Sequence, residues 1–252
     1  MARSTSFGAV LLAAGSGSRL RELTEHTHKS MVPVAGSSSI ERALTALVNS
    51  GIEDIVVVTG YKAEVLEPFI SDRFGEKVRT VRNDYWMNDT NIQSAQRGVD
   101  SLINPNHGYL LIETDVVAER SCWNYVISAS GSKHSIWFTK GFYSPGLTGG
   151  ALFADDNGEV KEICYAPVFE ERFSGWPKLL GILYVAPEQV NSENALRRSM
   201  IDNQVDCYYM QVWTDNLTKL PCQAVRLDNF RTATFNDIAA LQKAELLFSG
   251  NS

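Results

Sequence analysis

A glycine-rich segment near the start of the chain carries residue types that bind phosphate. An apolar run at residues 10–14 ends in Gly15 and Gly17, Arg19 follows two positions later, and Lys29 stands ten residues after the arginine. Glycines adopt φ > 0 freely and let backbone N–H groups approach an anion closely. Arg19 and Lys29 can supply positive charge to the same anion. The segment therefore predicts a phosphate-binding loop that follows a strand buried on both faces.

Two carboxylates end a second apolar run. Residues 109–115 have the sequence YLLIETD, so Glu113 and Asp115 stand at the end of a predicted strand. Side chains alternate along a strand, which puts both carboxylates on the same side. A divalent cation on a triphosphate is typically held by one or two carboxylates together with phosphate oxygens. An acid in this position also suits a turn or a helix cap, but near a phosphate loop the pair favours a Mg²⁺ site.

Strand and helix patterns alternate through the first half of the chain. The spacing of apolar residues predicts helices at residues 39–48, 62–71 and 91–102 and strands at residues 54–60, 77–82 and 109–115. A repeated strand–helix–strand order is typical of an α/β domain with a parallel sheet. Such sheets bind their ligands at the carboxyl ends of the strands. Both the glycine loop and Asp115 fall at such an end.

The second half predicts further strands and contains many aromatic side chains. Residues 149–163 suit a hairpin with an Asn-Gly turn at residues 157–158, and residues 179–184 suit another strand. Aromatic residues accumulate between positions 137 and 213. An aromatic cage would suit a quaternary ammonium group, whereas packing in the core is the commoner role of any single ring.

Composition excludes several classes of protein. The chain has 252 residues, of which 44% are hydrophobic, enough for a substantial core in one domain. A net charge of −6 provides no positive field for nucleic acid or an anionic membrane. No segment approaches the ~18 continuous apolar residues that a membrane helix needs. The four cysteines form no C-x-x-C pair, which argues against zinc and a dense disulfide framework and favours a reducing cytoplasm.

The opening motif differs from the two familiar glycine-rich phosphate loops. A dinucleotide-binding fingerprint needs a third glycine or alanine where this chain has Leu20, and a Walker loop needs its lysine directly after glycine. The matching positions of a third pattern are Leu12, Ala13, Ala14, Gly15, Ser16, Gly17, Ser18, Arg19 and Leu20, then Glu22, Leu23 and Thr24, then His28 and Lys29. They resemble the motifs L-A-A-G-x-G-x-R-L, P-L-T and P-K of the nucleotidyltransferase superfamily, which joins an NTP to a phosphorylated substrate. His28 replaces the proline of the last motif, which affects loop rigidity more than chemistry.

A second motif narrows the resemblance. Residues 83–95 are polar and aromatic and precede a predicted helix, with matching positions at Asn83, Tyr85, Thr90, Asn91, Ser94 and Ala95. They are similar to the pattern N-x-x-Y…N-N-x-x-S-L of bacterial CTP:phosphocholine cytidylyltransferases and of relatives that act on aminoethylphosphonate. Asn91 and Ser94 can hydrogen-bond a base or ribose, and N–H groups at a helix start can bind an anion. Asp89 or Thr90 could also simply cap the helix.

The resemblance implies a role for each matching residue. The nucleotide would be bound by Leu12, Ala13, Ala14, Gly15, Ser16, Gly17, Ser18, Asn91, Ser94 and Thr114. Arg19 would face the β and γ phosphates, Lys29 would stabilise charge at the α-phosphorus, and Asp115 would hold Mg²⁺. Tyr85 would contact the acceptor. The ionised phosphate or phosphonate of the acceptor would attack the α-phosphorus and release pyrophosphate without a general base.

The C-terminal part departs from the superfamily pattern. Relatives carry E-I-D-x-x-x-D-L before a final helix, and its first aspartate completes the metal site. Aligning Asp237 with the second aspartate puts Ala233 in place of the first. Asp228 could replace the missing ligand through a shifted loop, the enzyme could use fewer protein ligands, or catalysis could be lost. Arg231 could bind the phosphate or phosphonate of the acceptor, or form a surface salt bridge.

Together these observations define an expected protein. The resemblance implies one Rossmann-like α/β nucleotidyltransferase domain over residues 1–252 with a mixed, mainly parallel sheet. Its NTP-binding half would span about 7–120 and its acceptor-binding α+β half about 121–252. We expect CMP transfer from CTP, with Mg²⁺, to a small phosphate or phosphonate acceptor in the cytoplasm, without nucleic-acid or membrane partners; a homo-oligomer is left open. The alternatives are a sugar-1-phosphate nucleotidyltransferase that uses another NTP and a non-catalytic nucleotide-binding regulatory protein.

Overall fold

The computed structural model describes residues 7–203 and 206–250, which contain thirteen strands and seven α-helices. The strands are β1 (Gly8–Ala13), β2 (Pro33–Val34), β3 (Ser37–Ser38), β4 (Ile55–Thr59), β5 (Arg79–Arg82), β6 (Tyr109–Glu113), β7 (Val116–Ala118), β8 (Ser135–Phe142), β9 (Gly149–Ala154), β10 (Val160–Ala166), β11 (Pro177–Val185), β12 (Cys222–Arg226) and β13 (Thr232–Thr234). The helices are α1 (Ser39–Asn49), α2 (Ala63–Phe74), α3 (Ile92–Asp100), α4 (Arg120–Ala129), α5 (Val190–Asp202), α6 (Gln211–Thr214) and α7 (Ile238–Ser249). Within these described ranges, no helix combines the length and apolar character required to cross a membrane.

One sheet runs through both halves of the chain. Its strand order is β10-β9-β11-β6-β1-β4-β5, with β8 paired to β11 and β12 paired to β8. The strands β6, β1, β4 and β5 are mutually parallel, as the alternating pattern predicts. Strand β11 lies antiparallel between β6 and β8 and joins the C-terminal strands to the parallel ones. The prediction of a single α/β domain with a mixed sheet is confirmed.

Strand β1 lies in the middle of the sheet and is buried on both faces. Ala9 and Leu11 pack toward α1, α2 and α4, whereas Val10 and Leu12 pack toward α3, α5 and α6. A Cβ atom on Gly98 of α3 would lie 2.2 Å from Cγ1 of Val10, so the glycine lets this helix rest directly on the strand. Helices on both faces fix the end of β1, where the glycine loop begins.

The acidic strand is shorter than the sequence predicts. We expected a strand over residues 109–115, but β6 ends at Glu113 and the chain turns before β7. Strand β7 pairs antiparallel with β13, with Thr232 opposite Ala118 and Thr234 opposite Val116. This small sheet was not predicted, because three-residue strands carry too little periodicity. It brings the segment after β13 to the end of β6.

The predicted hairpin at residues 149–163 is present as β9 and β10. Its turn contains Asn157 and Gly158, and Gly158 has φ of +80°. The Asp155 carboxylate accepts hydrogen bonds from the backbone N–H groups of Asn157 and Glu159, both at 3.0 Å. The short polar side chain therefore fixes the turn through its own backbone.

Candidate active site

A cavity of about 270 Å³ opens at the carboxyl ends of β1 and β6, and we call it the first cavity. The predicted site residues that line it are Leu12, Ala14, Gly15, Gly17, Ser18, Arg19, Lys29, Asn91, Ser94, Thr114 and Asp115. Two predicted residues of the glycine loop do not line it. Ala13 is the last residue of β1 and is buried in the core, and Ser16 lies in the loop outside the lining. The structure thus gathers the glycine loop, the lysine and the acidic turn around one space.

Gly17 is the glycine whose conformation the loop requires. It has φ of +60°, and a Cβ atom there would lie 2.9 Å from Cβ of Lys29. Both facts exclude a side chain, because the backbone is left-handed and the lysine packs against it. Gly15 differs, since its φ is not positive and no atom lies within 4 Å of an added Cβ. The expectation of φ > 0 holds for Gly17 alone, and the surface beside Gly15 is open.

Lys29, Asp115 and Asn236 form the charged contact of the first cavity. The Lys29 ammonium donates to Oδ1 of Asn236 at 3.3 Å and lies 3.9 Å from Oδ2 of Asp115. The Asn236 amide donates to the same Asp115 oxygen at 2.7 Å. Asn236 follows β13, so the small β7–β13 sheet brings it to this position. The three side chains come from segments that are distant in sequence.

Asp115 and Glu113 provide oxygen ligands of the kind that Mg²⁺ prefers. Asp115 is only 4% exposed, and its Oδ1 has no hydrogen-bond partner in the part of the chain that the structure describes. Burial and the Asp115 carboxylate raise the pKa of Glu113 to about 7. Across residues 7–203 and 206–250, no three His, Cys, Asp or Glu side chains cluster as a metal site. Two carboxylates with an unpartnered oxygen fit a Mg²⁺ ion that phosphate oxygens and water would complete.

A second cavity of about 620 Å³ adjoins the first. Five residues line both cavities and mark their boundary: Arg19, Glu113, Asp115, Tyr208 and Asn236. Rings of Trp137, Tyr165 and Tyr209 also line the second cavity. The Tyr165 and Tyr208 rings are half-buried, and their centroids are 4.4 Å apart. A molecule in one cavity would therefore meet a molecule in the other at two carboxylates and an arginine.

Three lysines line the second cavity, Lys140, Lys178 and Lys243, and the first two differ in their contacts. The Lys140 ammonium donates to the backbone carbonyls of Leu227, Asp228 and Phe230 at 3.2, 2.9 and 2.6 Å, so it holds the loop after β12. Burial lowers the pKa of Lys178, while the nearby carboxylates oppose that effect. Its ammonium makes one long contact, 3.5 Å, with the Leu179 carbonyl. Lys178 is therefore the better placed of the two to bind an anion.

The segment at residues 83–94 both caps α3 and lines the first cavity. The Asp89 carboxylate accepts from the backbone N–H groups of Gln93 and Ser94 and from the Ser94 hydroxyl at 2.6 Å. The helix-cap interpretation of Asp89 is thus supported, and Asp89 also faces the cavity. The Oδ1 atom of Asn91 accepts from the Tyr209 backbone N–H at 2.7 Å. Asn91 consequently joins the first cavity to the aromatic wall of the second.

The structure corrects the expected metal role of Asp228. Its carboxylate accepts from the backbone N–H of Gly141 at 2.7 Å and from Nε of Arg226 at 2.6 Å, on a surface loop that lines neither cavity. The β7–β13 pairing fixes the chain between Asp228 and the site, which leaves no shifted loop. Asn236 stands beside Asp115 instead. We therefore do not assign Asp228 to the metal.

The two expected acceptor contacts also lie outside both cavities. Tyr85 is 59% exposed, and its ring faces the Arg97 guanidinium at 5.6 Å. Arg231 pairs with Glu119, with Nε donating to Oε2 at 3.0 Å, so the salt-bridge alternative describes it. Neither residue lines the first or the second cavity. We therefore withdraw both from the acceptor site.

Comparisons with known proteins identify the family of the chain. The profile of a family described as Nucleotidyl transferase matches residues 8–143, just over half of the chain. The chain belongs to this family. Among its relatives, the choline-phosphate cytidylyltransferase of Haemophilus influenzae is 34% identical over 131 residues, which cover 52% of this chain and 51% of that protein. The 2-aminoethylphosphonate cytidylyltransferase of Lancefieldella rimae is 32% identical over 156 residues, covering 62% and 59%.

Another nucleotidyl transferase shares the architecture over nearly the whole chain. The structure of the CTP:phosphocholine cytidylyltransferase from Streptococcus pneumoniae superposes with a TM-score of 0.78 at 22% identity, covering 96% of this chain and 98% of that one. At this identity the likeness concerns the fold. The sequence matches to the curated relatives span only about half to three-fifths of their length. The substrates of these relatives therefore support only a proposed function for this chain.

Several residues of the site were not predicted from sequence. Trp86, Asn236 and Lys178 carried no motif of their own, although Asn236 directly precedes the aligned Asp237. Tyr61, just after β4, was not predicted either. It fastens the glycine loop, since its backbone N–H donates to the Ala14 carbonyl at 2.9 Å and its hydroxyl to the Thr24 carbonyl at 2.7 Å. Only the three-dimensional contacts reveal these roles.

Proposed function

We propose that this protein transfers CMP from CTP to a small phosphate or phosphonate acceptor and releases pyrophosphate. The observation that carries the proposal is the meeting of two cavities at Arg19, Glu113 and Asp115. One cavity has the glycine loop and Lys29 that suit a triphosphate, and the other has room for a small acceptor. Membership of the nucleotidyl transferase family and the two cytidylyltransferase relatives support this choice of reaction.

The walls of the second cavity favour an acceptor with an anionic end and a cationic end. Lys178 would bind the phosphate or phosphonate. The half-buried Tyr165 and Tyr208 rings, close to the Glu113 carboxylate, would receive an ammonium group. Phosphocholine and 2-aminoethylphosphonate both have this pair of charges. A sugar 1-phosphate has the anionic end without the cation and would leave the aromatic pair unused.

Catalysis would consist of positioning and charge stabilisation. The glycine loop would orient the triphosphate through its backbone N–H groups, with Arg19 at its β and γ phosphates. Lys29 would leave its contact with Asn236 for the α-phosphoryl oxygens, where negative charge accumulates in the transition state. Asp115, with Glu113, would hold Mg²⁺, which supplies further charge neutralisation to the triphosphate. The acceptor oxygen is already ionised near neutral pH, so no side chain needs to remove a proton.

The test is pyrophosphate release over a panel of substrates. Each of CTP, UTP, GTP, ATP and dTTP is combined with phosphocholine, 2-aminoethylphosphonate and glucose 1-phosphate in the presence of Mg²⁺. We expect release with CTP and a zwitterionic acceptor and little with the other pairs. Release with UTP or dTTP and the sugar phosphate would establish the sugar-1-phosphate alternative. Binding of an NTP without release from any pair would establish a non-catalytic nucleotide-binding protein.

A further inference from the structure

The histidine before Lys29 joins two parts of the first cavity. His28 is completely buried, its Nε2 lies 3.1 Å from the Gly15 carbonyl oxygen, and its Nδ1 lies 3.2 Å from the Ser30 backbone nitrogen. It caps the 3₁₀ turn Lys29–Met31, whose first residue is Lys29. The imidazole therefore links the glycine loop to the backbone that carries the lysine.

The protonation state of this histidine follows from its partners. Burial, followed by the charge of Lys29, lowers the pKa of His28 to about 3. The ring is thus neutral, with one N–H and one acceptor nitrogen. A backbone N–H can only donate, so Nδ1 accepts from Ser30 and Nε2–H donates to Gly15. Each ring nitrogen therefore has a partner that matches its role as donor or acceptor.

Three buried hydroxyl side chains make hydrogen bonds between the histidine and the acidic turn. The Ser30 hydroxyl lies 2.7 Å from Nδ1 of His28. The Ser39 hydroxyl, at the start of α1, lies 3.2 Å from the Ser30 carbonyl oxygen and 2.6 Å from that of Thr114. The Thr114 hydroxyl donates to the Leu12 carbonyl at 2.9 Å, at the end of β1. All four side chains are less than 4% exposed.

These hydrogen bonds, together with the backbone of residues 12–15 and 28–30, connect the glycine loop, the turn at Lys29 and the acidic turn. We propose that His28 and Ser39 are positioning residues, which fix Lys29 relative to the glycine loop and to Asp115. Neither side chain lines the cavity, so both would act through the residues that they hold. The inference rests on the proposed function for its effect on turnover. The positioning of the glycine loop itself does not depend on turnover and is expected in the protein without substrate.

Two substitutions of His28 separate its hydrogen bonds. His28→Asn keeps an acceptor near Nδ1 for the Ser30 N–H but has no atom that reaches Gly15. His28→Gln is long enough to donate an amide N–H to the Gly15 carbonyl. Misplacement of a reacting group by about 1 Å can cost about 100-fold, and we expect kcat to fall about 10- to 100-fold in His28→Asn. His28→Gln should recover most of the loss, and the Kd for CTP should change much less than kcat.

Ser39→Ala tests the same network from its other end, with Ser130→Ala as matched control. Ser130 is also buried, and its hydroxyl donates to the Val126 carbonyl at 2.9 Å, at the end of α4 and away from the site. Each alanine variant removes one buried serine hydroxyl group that donates to backbone carbonyls, so both should lower Tm. Only Ser39→Ala should lower kcat. Ser39 also provides a second variant if one of the His28 variants does not fold.

Hydrogen exchange of the nucleotide-free protein gives a readout that does not depend on turnover. Peptides covering residues 12–29 should exchange faster in His28→Asn and Ser39→Ala than in wild type and in Ser130→Ala. Equal exchange in all four proteins, or kcat values of the two network variants that match Ser130→Ala, would overturn the positioning role. Absence of turnover in wild type with every acceptor would instead contradict the proposed function, and the exchange measurement would then decide the positioning role.

Discussion

The two cavities are built in different ways. The first lies at the ends of the parallel strands β1 and β6 and is shaped largely by the backbone of its loops. His28 and Ser39, outside the lining, and Thr114, within it, make hydrogen bonds to those loops. The second lies over antiparallel strands and α7 and is shaped by large side chains, among them Tyr165 and Lys178. Under the proposed function, the backbone groups of the first cavity would bind the triphosphate, and the half-buried side chains of the second would bind the acceptor.

Because the two cavities are built differently, they should tolerate substitutions to different degrees. A backbone loop supported by a buried network tolerates little change, because each buried polar group that loses its partner costs free energy. A wall of half-buried side chains can be altered one residue at a time without disturbing the chain path. We therefore expect variants of the first cavity to affect every acceptor equally and variants of the second cavity to affect acceptors selectively.

The largest effect is expected for Lys29→Ala in the first cavity. Its ammonium would stabilise charge that develops in the transition state, and loss of such a donor lowers kcat by about 100- to 1000-fold. The fall should be the same with phosphocholine and with 2-aminoethylphosphonate. Lys133→Ala, which removes an exposed lysine of the α4–β8 loop, serves as control. Steady-state kinetics that show near-normal kcat in Lys29→Ala would remove this lysine from the chemistry.

A smaller and more selective effect is expected for Lys178→Met in the second cavity. A hydrogen bond to a charged group contributes about 1.5–3 kcal/mol, so the KM for the acceptor should rise about 10- to 100-fold. The Kd for CTP should stay the same, because Lys178 does not line the first cavity. Lys243→Met removes another lysine from the rim of the same cavity and is the matched control. Equal loss of CTP affinity would contradict the separation of the two cavities.

The last effect concerns stability in acid rather than turnover. His28 is neutral in the folded protein with its pKa lowered to about 3, whereas the unfolded chain protonates it near its ordinary value of 6.5. Protons therefore bind preferentially to the unfolded state below pH 6.5, and the stability present above that pH is lost as pH falls toward 3. The free energy of unfolding should decrease by up to about 1.4 kcal/mol per pH unit from this residue.

Urea denaturation between about pH 7 and pH 4.5 measures this dependence. The His28→Asn protein should lose less stability over that interval than wild type. The exposed His134 is the control, and His134→Asn should follow wild type. Identical pH dependence in His28→Asn and wild type would mean that the imidazole is protonated in the folded protein, contrary to its hydrogen bonds.

Much of the first cavity could be predicted from the sequence, because its residues belong to short continuous segments. The spacing from Gly15 to Lys29 and the acids at the end of β6 were enough to place the loop and Asp115. The parallel centre of the sheet followed from alternating strand and helix patterns. In each case local physics agrees with the tertiary arrangement.

The rest could not be predicted, because it depends on pairings between distant segments. Asn236 reaches Asp115 only through the pairing of β13 with β7, two three-residue strands. Without that pairing, closeness in sequence to the gap at Ala233 favours Asp228 as a ligand. Lys178 and Lys140 look alike in sequence, and only the three carbonyls around Lys140 tell them apart.

The central claim is that a nucleotide in the first cavity is joined to an acceptor in the second. Phosphorus-31 NMR of the protein with CTP, Mg²⁺ and 2-aminoethylphosphonate or phosphocholine tests it directly. We expect loss of the CTP resonances, appearance of pyrophosphate, and a coupled pair of resonances from a new bridge between the CMP phosphorus and the acceptor phosphorus. Intact CTP with both acceptors, or orthophosphate without a coupled pair, would contradict it.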